Sequence, residues 1–177
     1  MPLVDRRYAE ALVEIADEAG DMDRFQNELA QITGIYKDQQ DFRLFLINPE
    51  VKIDTKKDIL NNIFSKSLKP EIFKFLMLLL DKGRIRNLPG INGEFIKLAD
   101  NRRNTLNITI ISAAKLEEDQ VARIKEKYGK EYRASRVKAN IEIDQSLIGG
   151  VKVKIGDKVI DGSVKGRLES IKELLIK

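Results

Sequence analysis

The chain has 177 residues, 42% of them apolar and 34% charged, with only four prolines, a composition that supports packed cores and argues against disorder. It contains no cysteine and no histidine, which excludes disulfides, thiolate metal sites, a Ser-His-Asp triad and the commonest general base. The net charge of +4 is unevenly placed: residues 1–105 balance, and the whole excess lies in residues 106–177, a bias that suits an acidic partner.

The N-terminal stretch MPLVDRRYAEAL is charged early and has no apolar core followed by a small-residue cleavage site, so no secretion leader is expected. Tyr8, Leu12, Ile15 and Ala19 predict one apolar stripe of a first helix. Gly20 and Asp21 break it. Met22, Phe25, Leu29, Ile32 and Tyr36 predict a second helix. The short apolar piece FRLFLI stops at Asn48-Pro49. Thr55 with Asp58 has the spacing of a capping box, opening a helix through Ile59, Leu60, Ile63 and Phe64. Pro70 suits the first turn of PEIFKFLMLLLDKG. Between Ile72 and Leu80 only Lys74 is polar, so this helix belongs in the centre of a bundle, with Gly83 as its stop. Its longest apolar run, Phe75 to Leu80, is far below the roughly 20 residues of a membrane span, so any membrane association should be peripheral. Leu88, Ile91, Phe95 and Leu98 mark a further helix. Five or six helices with short connections predict an antiparallel bundle over residues 1–105.

The period then changes. Asn107 to Ala113 is β-branched and predicts a strand, and Glu117 to Tyr132 a helix with Val121, Ile124 and Tyr128 on one face. VKANIEID and GVKVKIGDKVID read as strands, with Gly156-Asp157 as a hairpin turn. Ser163 should cap a last helix carrying Val164, Leu168, Ile171, Leu174 and Leu175. Residues 106–177 thus predict a small α+β domain, a mixed sheet with helices on one face. The boundary should lie near Thr105.

The glycine-rich stretch IDQSLIGGVKVKIGDKVIDGS fails each test for a ligand loop. Gly150 and Gly156 are one residue too far apart for a P-loop, and Asp157 stands where its lysine should be. Lys152 replaces the second glycine of an RNA-binding GXXG loop, and no aromatic pair on the strands offers stacking. Asp157 and Asp161 lack the spacing of a calcium loop. A small basic RNA-binding module is the alternative reading. An enzyme working through a carboxylate pair has only the number of acids behind it. The sequence predicts no catalytic residue, no cofactor and no metal site. In scaffold terms, Val151, Val153 and Ile155 face a core while Lys152 and Lys154 face out. Gly149 and Gly150 allow a bend, and Asp161, Gly162 and Ser163 turn the chain into the last helix.

Asp144 to Leu175, DQSLIGGVKVKIGDKVIDGSVKGRLESIKELL, resembles the C-terminal signature of the ATP synthase delta subunit family, bacterial relatives of the mitochondrial oligomycin-sensitivity-conferring protein. RRYAEAL, INPEVKIDTKKDIL, FLMLLLDKGRIRNLPGINGEF and IISAAKLEEDQ extend the resemblance over nearly the whole chain. The family implies a non-catalytic subunit of the peripheral stalk, at the cytoplasmic face of a bacterial membrane. It also implies two protein partners. The N-terminal helices would bind N-terminal segments of the alpha subunits, and the C-terminal domain the ends of the membrane-anchored b subunits. On that basis the alpha-binding groove is expected on the helices at 4–19 and 70–82, lined by Tyr8, Ala11, Leu12, Lys74 and Leu78. The b-facing surface is expected at Lys152, Lys154 and Arg167. No nucleic acid and no small-molecule substrate is implied.

Overall fold

The computed structural model describes residues 2–175, with the side chains of Pro2 and of most of the last helix beyond Leu168 outside the described set. The chain divides into two compact units, Met1–Ala99 and Asp100–Lys177.

Six helices build the first unit: α1 (Pro2–Glu18), α2 (Met22–Asp38), α3 (Gln40–Ile47), α4 (Ile53–Phe64), α5 (Pro70–Asp81) and α6 (Leu88–Arg102), with a 3-10 turn at Ile85–Asn87. Helix α5 begins at Pro70, whose missing N–H would be unpaired in a first turn anyway. Ile72, Phe75, Leu76, Leu79 and Leu80 bury one broad face of it, with Phe73 and Met77 half-buried at its edge, against Phe25 and Leu29 of α2 and Phe95 of α6 in one core. Lys74 and Leu78 leave one side of α5 open.

Two local expectations are corrected. In α1 the buried residues are Ala9, Leu12, Val13 and Ala16, while Ile15 and Ala19 are exposed and Tyr8 is half-buried. Small alanines let α1 approach its neighbours closely, so the bulkier apolar side chains turn to the edge. Helix α4 starts at Ile53, not at Thr55. Its N-cap is Lys52, without a side-chain cap, and Thr55 and Asp58 are exposed inside the helix. The capping-box spacing coincides with that of an ordinary solvent-facing pair. The buried residues of α4 are Lys56, Leu60 and Phe64, and Ile63 is exposed.

A buried acid ties α2 to α5. The Glu28 carboxylate accepts from Arg24 Nε at 2.7 Å and from the backbone N–H of Lys69 at 2.7 Å. Lys69 is the N-cap position of α5 and offers no side-chain cap of its own. A carboxylate from another helix therefore satisfies a donor that α5 leaves open. The Lys69 ammonium pairs with Asp21 and lies 5.5 Å above the Phe25 ring.

The second unit holds β1 (Thr105–Ser112), α7 (Glu118–Glu131), β2 (Arg136–Ile143), β3 (Val151–Ile155), β4 (Lys158–Asp161) and α8 (Val164–Leu175). The sheet order is β2-β1-β3-β4, with β1 and β2 parallel and the other pairs antiparallel. A parallel pair needs a long crossover, and α7 supplies it. Tyr128 of α7 packs on Ile108, Ile110, Val153 and Ile155, the alternating apolar set of one sheet face. Gly156-Asp157 makes the β3–β4 turn.

The unit boundary falls before Asp100 rather than near Thr105. The buried Asp100 carboxylate accepts from Lys138 Nζ at 2.7 Å and from Asn107 Nδ2 at 2.8 Å, so the last turn of α6 is bonded to β1 and β2. The change of hydrophobic period marks where a strand begins, whereas this bond network sets where the unit begins.

The two glycine segments that stand out in the sequence lie backbone to backbone. Gly162 N–H donates to Val151 O at 3.0 Å, and Val164 N–H to Gly149 O at 2.9 Å. Gly150 has φ +75°, and a Cβ there would sit 2.6 Å from the Gly162 carbonyl oxygen. Both the backbone conformation and the close approach demand glycine. Just before it, Gly149 N–H reaches Leu147 O at 2.7 Å around Ile148, whose φ of 65° and ψ of −40° make a strained γ-turn. Asp161 anchors the other side. It accepts from Ser163 N–H at 2.9 Å and pairs with Lys152 Nζ at 3.1 Å. The Ser163 Oγ, wholly buried, accepts from Gly166 N–H at 3.0 Å and opens α8. The Val164 and Leu168 side chains of α8 are exposed, and those of Ile171, Leu174 and Leu175 lie outside the described residues.

Gly150→Ala should lower stability by about 2–4 kcal/mol, combining left-handed strain with a backbone clash, as read by urea unfolding. Hydrogen bonds from Ser163, then Lys152, hold the Asp161 carboxyl at about 2, below its ordinary 3.8. Since the folded value is the lower one, the unfolded chain takes up this proton first as the pH falls. The contribution of Asp161 is complete above about pH 4 and disappears towards pH 2. Asp161→Asn should flatten that part of the acid-unfolding curve while leaving the neutral-pH slope unchanged.

Candidate functional site

Among the described residues, no group of three or more acidic side chains is placed to hold a metal ion. No described helix is long and apolar enough to cross a membrane. What the described surface offers is apolar and basic side chains on two faces, one in each unit.

The first face runs along α1 and α5. The Tyr8 ring meets the Phe75 ring edge-on, with centroids 6.2 Å apart and planes at 72°. This contact forms a floor between the two helices. Ala11 and Ile15 follow Tyr8 by about one and two turns on α1, and Lys74 and Leu78 flank Phe75 on α5. All four are exposed. Leu12, however, is wholly buried in the bundle core and does not reach this surface. Periodicity assigns Ile15 to the core stripe, yet it stands at the surface, 41% exposed. The spacing from Ala11 carries the signal for it: four residues on, one turn further along the same face. Lys74, the one polar residue between Ile72 and Leu80, is exposed on the same side of α5 as Leu78, which gives its ammonium the route to solvent that burial would deny.

The second face belongs to the sheet and α8. Lys152 and Lys154 share the side of β3 opposite α7, but the Lys152 charge is already engaged by Asp161. Lys154 lines a shallow cleft of about 590 Å³ with Asn107, Thr109, Lys138, Asn140 and Glu142, the polar alternation of β1 and β2. Arg167 is exposed on α8, and none of the described contacts joins it to either lysine. Apolar residues are the more conspicuous feature. Ile141 and Ile143 on edge strand β2, Ile148 at the strained turn, and Val164 and Leu168 one turn apart on α8 are all exposed. A reading by charge passes over them. Their signal in the sequence is the lack of any polar residue at positions that alternation or helical spacing assigns to one side.

The glycines and Asp161 of the turn region act within the fold, closing backbone against backbone as described above. They leave no cradle for a ligand, because Gly150 is filled by the Gly162 carbonyl.

Comparison with known proteins bears on the whole chain. The model of the family described as ATP synthase delta (OSCP) subunit matches residues 4–175. The ATP synthase subunit delta of Acetivibrio thermocellus is 47% identical over 176 residues, covering 99% of both chains. That of Ruminiclostridium cellulolyticum is 42% identical, with 99% of both chains covered. In fold, the chain resembles one in the cryo-EM structure of the Toxoplasma gondii mitochondrial ATP synthase hexamer, with a TM-score of 0.70, 21% identity, and 98% and 97% of the two chains covered. Length, order of elements and sequence thus agree from end to end, and the chain belongs to the ATP synthase delta (OSCP) subunit family.

Proposed function

We propose that this protein is a passive joint that holds two partners of an F-type ATP synthase in fixed register. A delta subunit is a non-catalytic component of the peripheral stalk, and the carrying observation is family membership over residues 4–175. In this reading the helical unit grips N-terminal segments of the alpha subunits, and the α+β unit grips the ends of the b subunits. The joint lies on the cytoplasmic side of the membrane and reaches it only through the complex. Rotation of the central stalk exerts torque on the catalytic head. If the joint slips, ion flow and ATP synthesis uncouple.

The physics of such a joint favours apolar anchors. Holding through many turnovers asks for nanomolar binding or better, about 12 kcal/mol. A partner helix lying along α1 and α5 would bury Ile15 and Leu78 and extend the Tyr8–Phe75 floor, each fully buried apolar side chain contributing roughly 1.5–3 kcal/mol before ordering costs. Lys74 then adds a charge at the rim, where it selects partners more than it strengthens them. On the second unit, Leu168 and Val164 serve as anchors for the b ends, with Lys154 and Arg167 as peripheral charges. The alternative of an RNA-binding module has less support. The uncovered sheet face offers Asn107, Thr109, Asn140 and Glu142 where base stacking would need aromatic rings.

Leu78→Glu should weaken binding of a peptide from the N-terminus of alpha by about a hundredfold and Lys74→Glu by roughly tenfold in a calorimetric titration, while neither changes the thermal unfolding of the free chain much. Unchanged affinity in both would remove the groove from consideration. For the second unit, Leu168→Glu should reduce capture of a peptide from the C-terminal end of b at every salt concentration. Lys154→Glu with Arg167→Glu should act mainly at low salt, because exposed charges are screened within about 10 Å at 0.1 M. Binding that ignores Leu168→Glu would place the b contact elsewhere.

A further inference from the structure

The helical unit has a cleft of about 340 Å³ between α3, α4, the end of α5 and the 3-10 turn. Leu46, Ile53, Leu80 and Ile85 form apolar walls, and the charged residues lining it are Lys56 and Arg86, with no acid among the described lining residues. Lys56 is 8% exposed. Its ammonium carries three donors, yet its hydrogen bonding consists of one contact, to the Asn48 carbonyl oxygen at 2.7 Å. The adjacent Lys57 pairs with Asp81 at 2.6 Å, whereas no described carboxylate lies within ion-pair distance of Lys56. Arg86, exposed, reaches only the Ile47 carbonyl oxygen, at 3.4 Å. An ammonium at the wall of a largely apolar cleft, with one carbonyl contact and donors left open toward the cleft, is placed to receive a counter-charge. Packing does not ask for it, since a neutral side chain of the same length would fill the space of the Lys56 stem.

We propose that this cleft binds a small amphipathic anion, a monocarboxylate with a short hydrocarbon tail. The carboxylate sits on Lys56 Nζ and takes the donors that Asn48 leaves open. The tail lies along Leu46, Ile53 and Leu80, and Arg86 closes the rim. One buried cation with one rim cation matches a single carboxylate better than a polyphosphate, which would need several convergent donors. A cleft at the small end of the usual range for ligand sites accommodates a chain of roughly eight to ten carbons. Apolar walls supply affinity and the lysine supplies selectivity for the charged head. The site lies apart from the α1–α5 face, and the proposal does not rest on the stalk reading.

The test uses the full-length chain and decanoate labelled with ¹³C at the carboxyl, followed by NMR titration. Decanol and acetate serve as probes of tail alone and head alone. Decanoate should bind at least about tenfold more tightly than either. Lys56→Met should reduce decanoate affinity by roughly tenfold or more while leaving decanol unaffected. Ile53→Trp, at a partly exposed wall position, should block both without touching the lysine, and it carries the test if Lys56→Met fails to fold. No saturable decanoate binding to the unaltered chain overturns the proposal. So does binding that survives both substitutions, which locates it elsewhere, or decanol binding as tightly as decanoate, which removes the role of the charge.

Discussion

The burial of α5 is the constraint around which the helical unit is arranged. A segment with only Lys74 polar between Ile72 and Leu80 must be surrounded by other helices or by lipid, and it is too short for lipid. Helices α1, α2, α4 and α6 carry enough apolar surface to surround it, and their wholly buried Leu12, Phe25, Leu60, Ile91 and Phe95 lie in the same core. That solution leaves one open side, at Lys74 and Leu78, next to the Tyr8–Phe75 contact. The exposed side of α5 is thus the place where the bundle stops covering its own most apolar member.

Polar groups then determine which arrangement of apolar helices is adopted. Glu28 reaches from α2 to the N-terminal end of α5, and Asp100 reaches from the last turn of α6 to Lys138 and Asn107. Each is a buried acid with several donors around it, so each constrains position as well as contributing energy. Lys56 breaks this pattern, being buried with a carbonyl and no acid. In the α+β unit the comparable device is backbone proximity. The Gly149-Gly150 and Asp161-Gly162-Ser163 segments hydrogen-bond to each other directly, and Asp161 with Ser163 starts α8 at that junction.

Much of this could be read before any coordinates. Local chemistry determined the break at Gly20, the start at Pro70, the β3–β4 turn at Gly156-Asp157, the cap at Ser163 and the apolar stripe of α2, because each depends on a few adjacent residues. The inward set of β3 followed from strict alternation, since a one-residue slip would turn every lysine into the core. The resemblance in Asp144–Leu175 indicated the family, and relatives covering 99% of the chain bear it out.

Other features depended on which elements meet. Periodicity assigns Ile15 to the core of α1, but Ala9, Val13 and Ala16 pack there, because close approach between helices rewards small side chains over large ones. Leu12, on the same stripe, is buried as periodicity assigns it. Thr55 and Asp58 have the spacing of a cap without being at a helix end. Glu28 and Asp100 each have one partner far along the chain, Lys69 at 41 residues and Lys138 at 38, separations that no local pattern encodes. The sequence by itself determined the type and order of most elements, the ends marked by glycine, proline or Ser163, and the family. Only the tertiary structure decided which side of each element is buried and which charges find partners, because those depend on contacts between segments far apart along the chain.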